Sequence, residues 1–144
     1  MTNGSFRGAL AFVLLTGCTL TQLTPQARFQ ESVYTLNDAA RWNQVDIAAR
    51  TVSPKYKVNF QKRRQSWGES VNVAEVDVLY QALAPDKESA ISEISLSWTD
   101  ATGVMLHKSF LTQKWVNEHG SFKLVDERIK KGDPGVFYVE ADPQ

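Results

Sequence analysis

The amino-acid sequence predicts an α+β domain in which N-terminal helices pack on a curved, four-stranded antiparallel sheet. Up to about residue 66, apolar residues recur at spacings of three to four, which is the period of an amphipathic helix. From residue 70 onward they alternate with polar residues, which is the period of a β-strand. Since the helices come first and the strands follow as a block, the two kinds of element are expected to form separate layers.

Ahead of this domain, the first 18 residues have the features of an export signal. Arg7 precedes an apolar run at residues 9–15, which is much shorter than the roughly 20 apolar residues that cross a bilayer. The sequence Leu15-Thr16-Gly17-Cys18 follows and matches all four positions of the lipobox of bacterial lipoproteins. A charged, then an apolar, then a small-residue segment is the order found in signal peptides. We therefore predict a signal peptide at residues 1–17.

This resemblance implies a diacylglyceryl thioether on Cys18, with a further acyl chain such as palmitate, and hence an anchor in the cell envelope membrane. Two or more acyl chains anchor a protein stably in a bilayer. Cys18 is the only cysteine, so a disulfide within the chain is excluded; the alternative is that Cys18 is an ordinary buried apolar residue. Thr19 is not the Asp that is associated with inner-membrane retention, which favours the outer membrane in a Gram-negative host.

Length and charge narrow the class of protein. The chain has 144 residues, so removing residues 1–17 leaves 127, enough for one domain. It has 16 basic and 16 acidic residues, and loss of Arg7 leaves 15 against 16, a net side-chain charge of −1. This balance argues against a nucleic-acid-binding protein. We expect a lipidated Cys and an uncharged tether at residues 18–25, and a single domain with a C-terminal tail at residues 26–144.

Three helices are predicted. Pro25 suits the start of the first, and its apolar face is expected to contain Phe29, Val33, Leu36, Ala40, Trp42 and Val45. A short second helix is expected over residues 47–50, capped by Asn43 or Asp46. The third, over residues 55–66, follows the start signal Ser53-Pro54 and ends before Gly68.

Four strands follow. Val71 and Val73 occupy odd positions, whereas Val76, Val78 and Tyr80 occupy even ones, so a one-residue β-bulge is predicted near residues 74–75. Turns at residues 86–87, 100–103 and 117–120 separate the strands, of which the third covers residues 104–116 and the last 122–129. Residues 132–135 are expected to form a turn, and residues 136–139 either a short extra strand or an exposed segment.

Three helices followed by long, bulged, consecutive strands resemble the NTF2-like, or cystatin-like, family. The residues that carry the resemblance are Ala39-Ala40-Arg41-Trp42, Gln113-Lys114-Trp115 and Gly120-Ser121-Phe122-Lys123-Leu124. The family's hairpin has aromatic residues around an Asp-Gly type turn; here the turn is His119-Gly120, and Phe122 stands where the family often has Trp. The resemblance covers about residues 27–131. It implies a cone-shaped sheet that encloses a pocket, and it implies no activity.

Four polar residues are candidates for lining such a pocket: Tyr80, His107, Gln113 and Asp126. One hypothesis makes the chain a small-pocket enzyme with His107 as general base and Tyr80 or Asp126 as its partner, since imidazole commonly titrates near neutral pH. We favour no catalytic role, because no nucleophile, acid or metal completes the set. His119 is predicted to be a turn residue. No cofactor motif or metal-ligand spacing occurs, so no cofactor or metal is expected.

A run of cations without an acid marks the third predicted helix: Lys55, Lys57, Lys62, Arg63 and Arg64. Tyr56, Phe60 and Trp67 would form its apolar face. The cations suit an anionic partner such as lipid head groups, wall polymers or an acidic protein; the alternative is an ordinary solvated helix face. Taken together, the sequence predicts a membrane-anchored envelope lipoprotein whose non-catalytic domain binds a ligand, an envelope protein or a second copy of the chain, and no nucleic acid.

Overall fold

The computed structural model describes residues 22–138, so the predicted signal peptide and Cys18 lie outside the described residues. The helices are α1 (Pro25–Arg41), α2 (Val45–Ala48) and α3 (Pro54–Arg63). The strands are β1 (Asn72–Leu83), β2 (Ser89–Thr99), β3 (Leu106–Glu118) and β4 (Ser121–Gly132). Two short 3-10 helices, Ala49–Thr51 and Pro134–Val136, complete the description. Between residues 22 and 138, no helix combines the length and the apolar character needed to cross a bilayer.

Helix α1 has the predicted start and the predicted buried face. The Thr24 hydroxyl accepts a hydrogen bond from the backbone N–H of Ala27 at 3.2 Å, and Pro25 occupies the first turn. The apolar residues from Phe29 to Ala40 are buried as expected. The expectation for Trp42 was wrong: this side chain is 63% exposed and lies under the Arg41 guanidinium. The helix ends at Arg41, so the helical period no longer directs the next residue toward the core.

The shorter helices differ from the prediction at their ends. Helix α2 begins at Val45 after Gln44, and its first turn has no side-chain cap, so neither Asn43 nor Asp46 caps it. Asp46 instead accepts a hydrogen bond from Gln61 of α3 at 3.1 Å. Helix α3 starts at Pro54, the proline of the predicted start signal and one residue before the predicted range, and it ends at Arg63, three residues early.

The four strands form one antiparallel sheet in the order β1-β2-β3-β4. The predicted bulge is confirmed, because Val73 pairs with Trp98 and Glu75 pairs with Ser97, which leaves Ala74 without a partner. Further single-residue register shifts occur at Leu79 in β1 and at Val125 and Lys130 in β4. Strands β2 and β3 pair without a shift. Because a bulge bends its strand and increases its twist, the two outer strands curve around the inner pair.

The two faces of the sheet have different neighbours. One face packs on α1, where Phe29 contacts Trp115 and Phe122 with ring centroids 6.1 and 5.4 Å apart. The opposite face, here called the open face, is covered by none of the helices between residues 22 and 138. It carries these residues of the alternate parity: Glu75, Asp77, Tyr80, Ala82, Ile91, Glu93, Lys108, Phe110, Thr112, Lys114, Val116, Asp126 and Arg128. Alternation along the sequence could not assign these faces, because both carry apolar and polar residues.

The chain after β4 packs against α3, which corrects the expectation of an extra strand or an exposed segment. Val136 and Phe137 are buried, and the Phe137 ring stacks on Trp67 with centroids 6.4 Å apart. The Trp67 indole donates a hydrogen bond to the carbonyl oxygen of Val136 at 2.7 Å. The backbone N–H of Tyr138 donates to the carbonyl oxygen of Arg63 at 2.8 Å. Val136 and Phe137 therefore belong to the core layer, not to the sheet, and Tyr138 is held to α3 through its backbone.

Candidate functional site

The four residues predicted to line a pocket do not meet. Tyr80 and Asp126 lie on the open face, whereas His107 and Gln113 lie on the face that packs on α1. Tyr80 pairs with Glu93 and His107 pairs with Trp98, five positions further along β2, which separates them by about 17 Å at roughly 3.4 Å per residue. His107 therefore has neither Tyr80 nor Asp126 within reach, and the enzyme hypothesis lacks the arrangement it needs.

Gln113 is the centre of a buried polar network. Its amide nitrogen donates hydrogen bonds to Glu127 Oε2 at 2.8 Å and to Asn37 Oδ1 at 2.9 Å. Its amide oxygen accepts from Asn37 Nδ2 at 3.1 Å and from the Ser92 hydroxyl at 3.0 Å. The Ser92 oxygen in turn accepts from the Trp115 indole at 2.9 Å. All five side chains are buried between α1 and the sheet, so hydrogen-bonded side chains occupy this part of the face on which the resemblance implied a pocket.

The network ends on a buried ion pair. Arg64 Nη2 lies 2.6 Å from Glu127 Oε1, and both residues are buried. The Arg64 guanidinium also lies over the Phe60 ring, 3.9 Å from its centroid. Burial lowers the pKa of Arg64 from its usual value, while the charge of Glu127 acts in the opposite direction. Since arginine remains a cation at physiological pH, Arg64 is an internal charge, and its predicted place in a surface patch was wrong.

The remaining cations of the predicted anionic-partner patch divide into two groups. Arg63 Nη1 donates to the Tyr56 hydroxyl at 2.8 Å, and its guanidinium lies 3.9 Å from the centroid of the Phe137 ring. Burial raises the pKa of Tyr56, with the charge of Glu127 adding to this effect and Arg63 opposing it. Lys55 and Lys62 are exposed and Lys57 is half-buried. An anionic partner of this helix stays a prediction, and it now depends mainly on the three lysines.

His107 has a partner that the sequence reasoning missed. Its Nδ1 lies 2.7 Å from Asp133 Oδ2, and its ring stacks on Trp98 with centroids 4.3 Å apart. Asp133 also accepts a hydrogen bond from the Gly135 N–H at 2.8 Å. That bond, together with His107, lowers the pKa of Asp133, with partial desolvation acting against them. The position of Asp133 directly before Pro134-Gly135 is the usual one for a helix cap, and this signal could have identified it.

The surroundings of His107 do not form a nucleophile site. The nearby Ser109 hydroxyl donates to the carbonyl oxygen of Asp133 at 2.6 Å and accepts from the Trp98 indole at 3.0 Å. His107 Nε2 is buried, and none of the described residues provides it with a hydrogen-bond partner. The cluster thus joins the end of β4 to the start of β3. His119 has φ +54° in the β3–β4 turn, as a turn residue would.

A groove on the open face combines a concave shape with a mostly apolar lining. It has a volume of about 470 Å³ and lies where the end of β1, the start of β2 and the end of β3 meet. Its lining includes Tyr80, Ala82, Ile91, Lys114, Val116 and Val125. Tyr80, Ile91 and Val116 are 54, 42 and 37% exposed. Of these residues only Tyr80 was predicted to line a pocket, because the others read as ordinary strand positions.

Between residues 22 and 138, no group of three or more His, Cys, Asp or Glu side chains is placed to hold a metal ion. Asp126 is paired with Arg128, whose Nε lies 2.9 Å from Asp126 Oδ2.

Comparison with known proteins adds evidence on the fold. No protein-family model matches the chain, and no curated protein matches it. A protein of unknown function with a cystatin-like fold from Nostoc punctiforme aligns with a TM-score of 0.54 and 11% identity, over 80% of this chain and 97% of its own. The intermembrane space region of chloroplast protein ARC6 aligns with a TM-score of 0.40 and 9% identity, over 73% of this chain and 90% of its own.

These similarities bear on architecture only. The cystatin-like neighbour confirms the predicted α+β class, with three helices packed against a four-stranded antiparallel sheet. At 11% identity it says nothing about a ligand or a reaction. The TM-score of the second structure is too low to support an argument.

Proposed function

We propose that the chain is a lipid-anchored envelope lipoprotein whose cystatin-like domain binds a ligand or another protein without catalysing a reaction. The observation that carries the anchor is the sequence Leu15-Thr16-Gly17-Cys18, placed directly after a short apolar run and containing the only cysteine. In the proposed mature protein, Cys18 is the first residue and carries the acyl chains. The outer membrane is the proposed destination if the host is Gram-negative.

The position of α1 gives this anchor a geometric consequence. Pro25 lies seven residues after Cys18, and an extended chain of seven residues spans at most about 25 Å. The first turn of α1 lies beside the β3–β4 turn, since a Cβ atom placed on Gly120 would be 3.5 Å from Nη1 of Arg28. A lipid on Cys18 would hold this end of the domain, here called the tether end, close to the bilayer.

Two features support binding over catalysis. The groove on the open face has exposed apolar side chains, and its volume falls within the range of about 300–1,000 Å³ that is usual for ligand sites. His107, the one residue proposed as a general base, contacts Asp133 and Trp98, and the hydroxyl of the nearby Ser109 is bonded to the Asp133 carbonyl oxygen and the Trp98 indole. A second copy of the chain or an envelope protein is the proposed alternative occupant of the open face.

The anchor is tested by expressing the full chain in a bacterial host with labelled palmitate. We expect label on the mature protein, and mass spectrometry should find Cys18 as the acylated first residue. Because Cys18 is the only cysteine, C18S should abolish the label, whereas the matched change T19S should retain it. An intact Gly17–Cys18 peptide bond in the mature protein, or label that survives in C18S, would contradict the proposal.

The binding role is tested separately by native mass spectrometry of the full lipoprotein extracted in mild detergent. A stoichiometric small molecule, envelope protein or second copy that stays bound supports a binding domain. Recovery of the lipidated chain alone, across several extraction conditions, would contradict it without affecting the anchor.

A further inference from the structure

We infer that the groove on the open face binds a single acyl chain that ends in a carboxylate, as in a fatty acid. The inference deepens the proposed function, because it names the ligand class and the site. It relies on the lipid anchor only for proximity to a membrane. Of the residues predicted to line a pocket, only Tyr80 lies in this groove, which is on the face of the sheet that no helix between residues 22 and 138 covers.

The lining of the groove suits an aliphatic chain. Three large side chains from three different strands line the groove and are partly exposed: Tyr80, Ile91 and Val116. Contiguous exposed apolar surface on a soluble domain usually marks a binding site. A volume of about 470 Å³ lies in the lower half of the usual range for small-molecule sites, about 300–1,000 Å³, which favours one chain over a two-chain lipid.

The lining of the groove contains one cationic side chain, near which a carboxylate head group would lie. Among the described residues that line it, Lys114 alone carries a charge. The Lys114 ammonium makes no hydrogen bond or ion pair with any residue between 22 and 138, and Asp126, its cross-strand partner, is instead bonded to Arg128 at 2.9 Å. An ammonium beside an apolar groove favours a carboxylate, since charge-assisted hydrogen bonds are stronger than neutral ones.

Two of the four bulges shape this part of the sheet. Leu79 is the extra residue of β1 immediately before Tyr80, and Val125 is the extra residue of β4 opposite the step from Lys114 to Trp115. Val125 adds an apolar residue to the lining. Since bulges re-aim side chains and bend the strand that carries them, the groove is a product of this specific strand pairing and would be lost in a sheet of regular register.

The groove also lies at the tether end. Lys114, Val116 and Val125 are within a few residues of the β3–β4 turn, beside which α1 begins. Leu23 lies two residues before the start of α1 and five residues after Cys18, and five extended residues span at most about 18 Å. If Cys18 is lipidated as proposed, fatty acid in the same membrane is within reach of the groove.

The test uses the full chain reconstituted in phosphatidylcholine vesicles with a palmitic acid analogue that carries a photoreactive diazirine. We expect cross-links on residues 80–91 and 114–125, and at least a tenfold loss of adduct in I91Q. K114Q should reduce the adduct of the acid several-fold and leave that of the matching alcohol unchanged. The matched controls T112Q and K108Q change the same face outside the groove and should keep full labelling. Unchanged melting temperatures establish that the variants fold.

Three outcomes would overturn the inference: labelling spread evenly over the domain, labelling insensitive to I91Q, or lipid adducts that lie outside residues 80–91 and 114–125. Equal loss of acid and alcohol in K114Q would also overturn it, because the head group would then play no part. The C18S chain, labelled in solution with the same probe, tests the groove without the anchor, and mass spectrometry of the wild-type chain tests the anchor. Groove adducts in a wild-type chain whose Cys18 carries no lipid would refute only the anchor, and lipid on Cys18 without groove adducts would refute only the groove ligand.

Discussion

Arg64 and Glu127 form an ion pair of 2.6 Å in the interior, joining the residue after α3 to the middle of β4. The second carboxylate oxygen of Glu127 accepts from Gln113, so the pair continues into the hydrogen bonds that connect α1 with the sheet. A buried ion pair is strongly destabilising when one partner is lost, because the other charge stays desolvated. The ion pair therefore stabilises the fold only when the helices pack on the sheet so that Arg64 and Glu127 are in contact.

The first prediction concerns Glu127. E127Q leaves Arg64 buried without its counter-charge, and we expect the free energy of unfolding to fall by about 3–5 kcal/mol. D126N, the adjacent residue on the open face, removes only an exposed pair with Arg128 and should cost about 0–1 kcal/mol. Urea denaturation followed by circular dichroism measures both. Similar losses of unfolding free energy in the two variants would show that the buried ion pair stabilises the fold no more than the exposed one.

The second prediction concerns the segment after β4. Phe137 is buried against Trp67 and two guanidinium groups, so F137A should lower the free energy of unfolding by about 3–5 kcal/mol. It should also speed hydrogen exchange at the N–H of Tyr138, which donates to Arg63. The partly exposed neighbour provides the control: Y138A should cost clearly less. Unchanged exchange in F137A would mean that the backbone bond alone holds this segment.

The third prediction concerns Gly132 at the end of β4. It has φ +88°, and a Cβ atom there would collide with the backbone carbonyl oxygen of Lys108. G132A should therefore destabilise the fold by more than the roughly 1 kcal/mol that left-handed backbone costs a residue with a side chain. Gly103 has φ +68° but open space around it, so G103A should show the backbone cost alone. Thermal unfolding of both variants separates the collision from the strain. Equal shifts in melting temperature would contradict the predicted contact.

The fourth prediction concerns pH. The pKa of Asp133 is lower in the folded chain than in the unfolded one, chiefly because its carboxylate accepts the Gly135 N–H, with His107 adding to the effect. Its ionised form therefore stabilises the fold above about pH 4, the usual carboxyl range, and this contribution is lost as the pH falls through the folded-state pKa. The difference in unfolding free energy between the wild type and D133N should be larger at pH 6 than at pH 3. Urea titrations at both pH values measure it. A difference of the same size at both pH values would contradict the prediction.

Local pattern was sufficient for most of the secondary structure. The helix start at Pro25, the start signal at Ser53-Pro54 and the bulge near residue 74 are each encoded within a few residues, by a cap, a fixed proline φ or a change of parity. The same reasoning placed Trp42 in the core and left Phe137 open between a strand and an exposed segment. Each depends on where an element ends and what lies beside it, which no local period records.

The candidate site was harder to predict, since it depends on pairing between distant residues. Gln113 meets Asn37 and Glu127 only because β3 lies between α1 and β4. His107 lies next to Asp133, 26 residues away, because β3 and β4 pair along their length. The bulge at Val125 leaves no change of parity as clear as the one near Ala74, so the groove on the open face was not foreseen.

The sequence by itself determined the order of helices and strands and the α+β class, since each depends on short-range spacing. It is also the basis of the proposal that Leu15-Thr16-Gly17-Cys18 is a lipobox with Cys18 at the mature N-terminus. Tertiary structure alone decided that Arg64 is an internal charge and that Lys114 stands by an apolar groove. Two lysine or arginine residues look alike in a sequence. Their roles diverge only when strands far apart in the chain fix which face each occupies and which carboxylates lie within hydrogen-bonding distance.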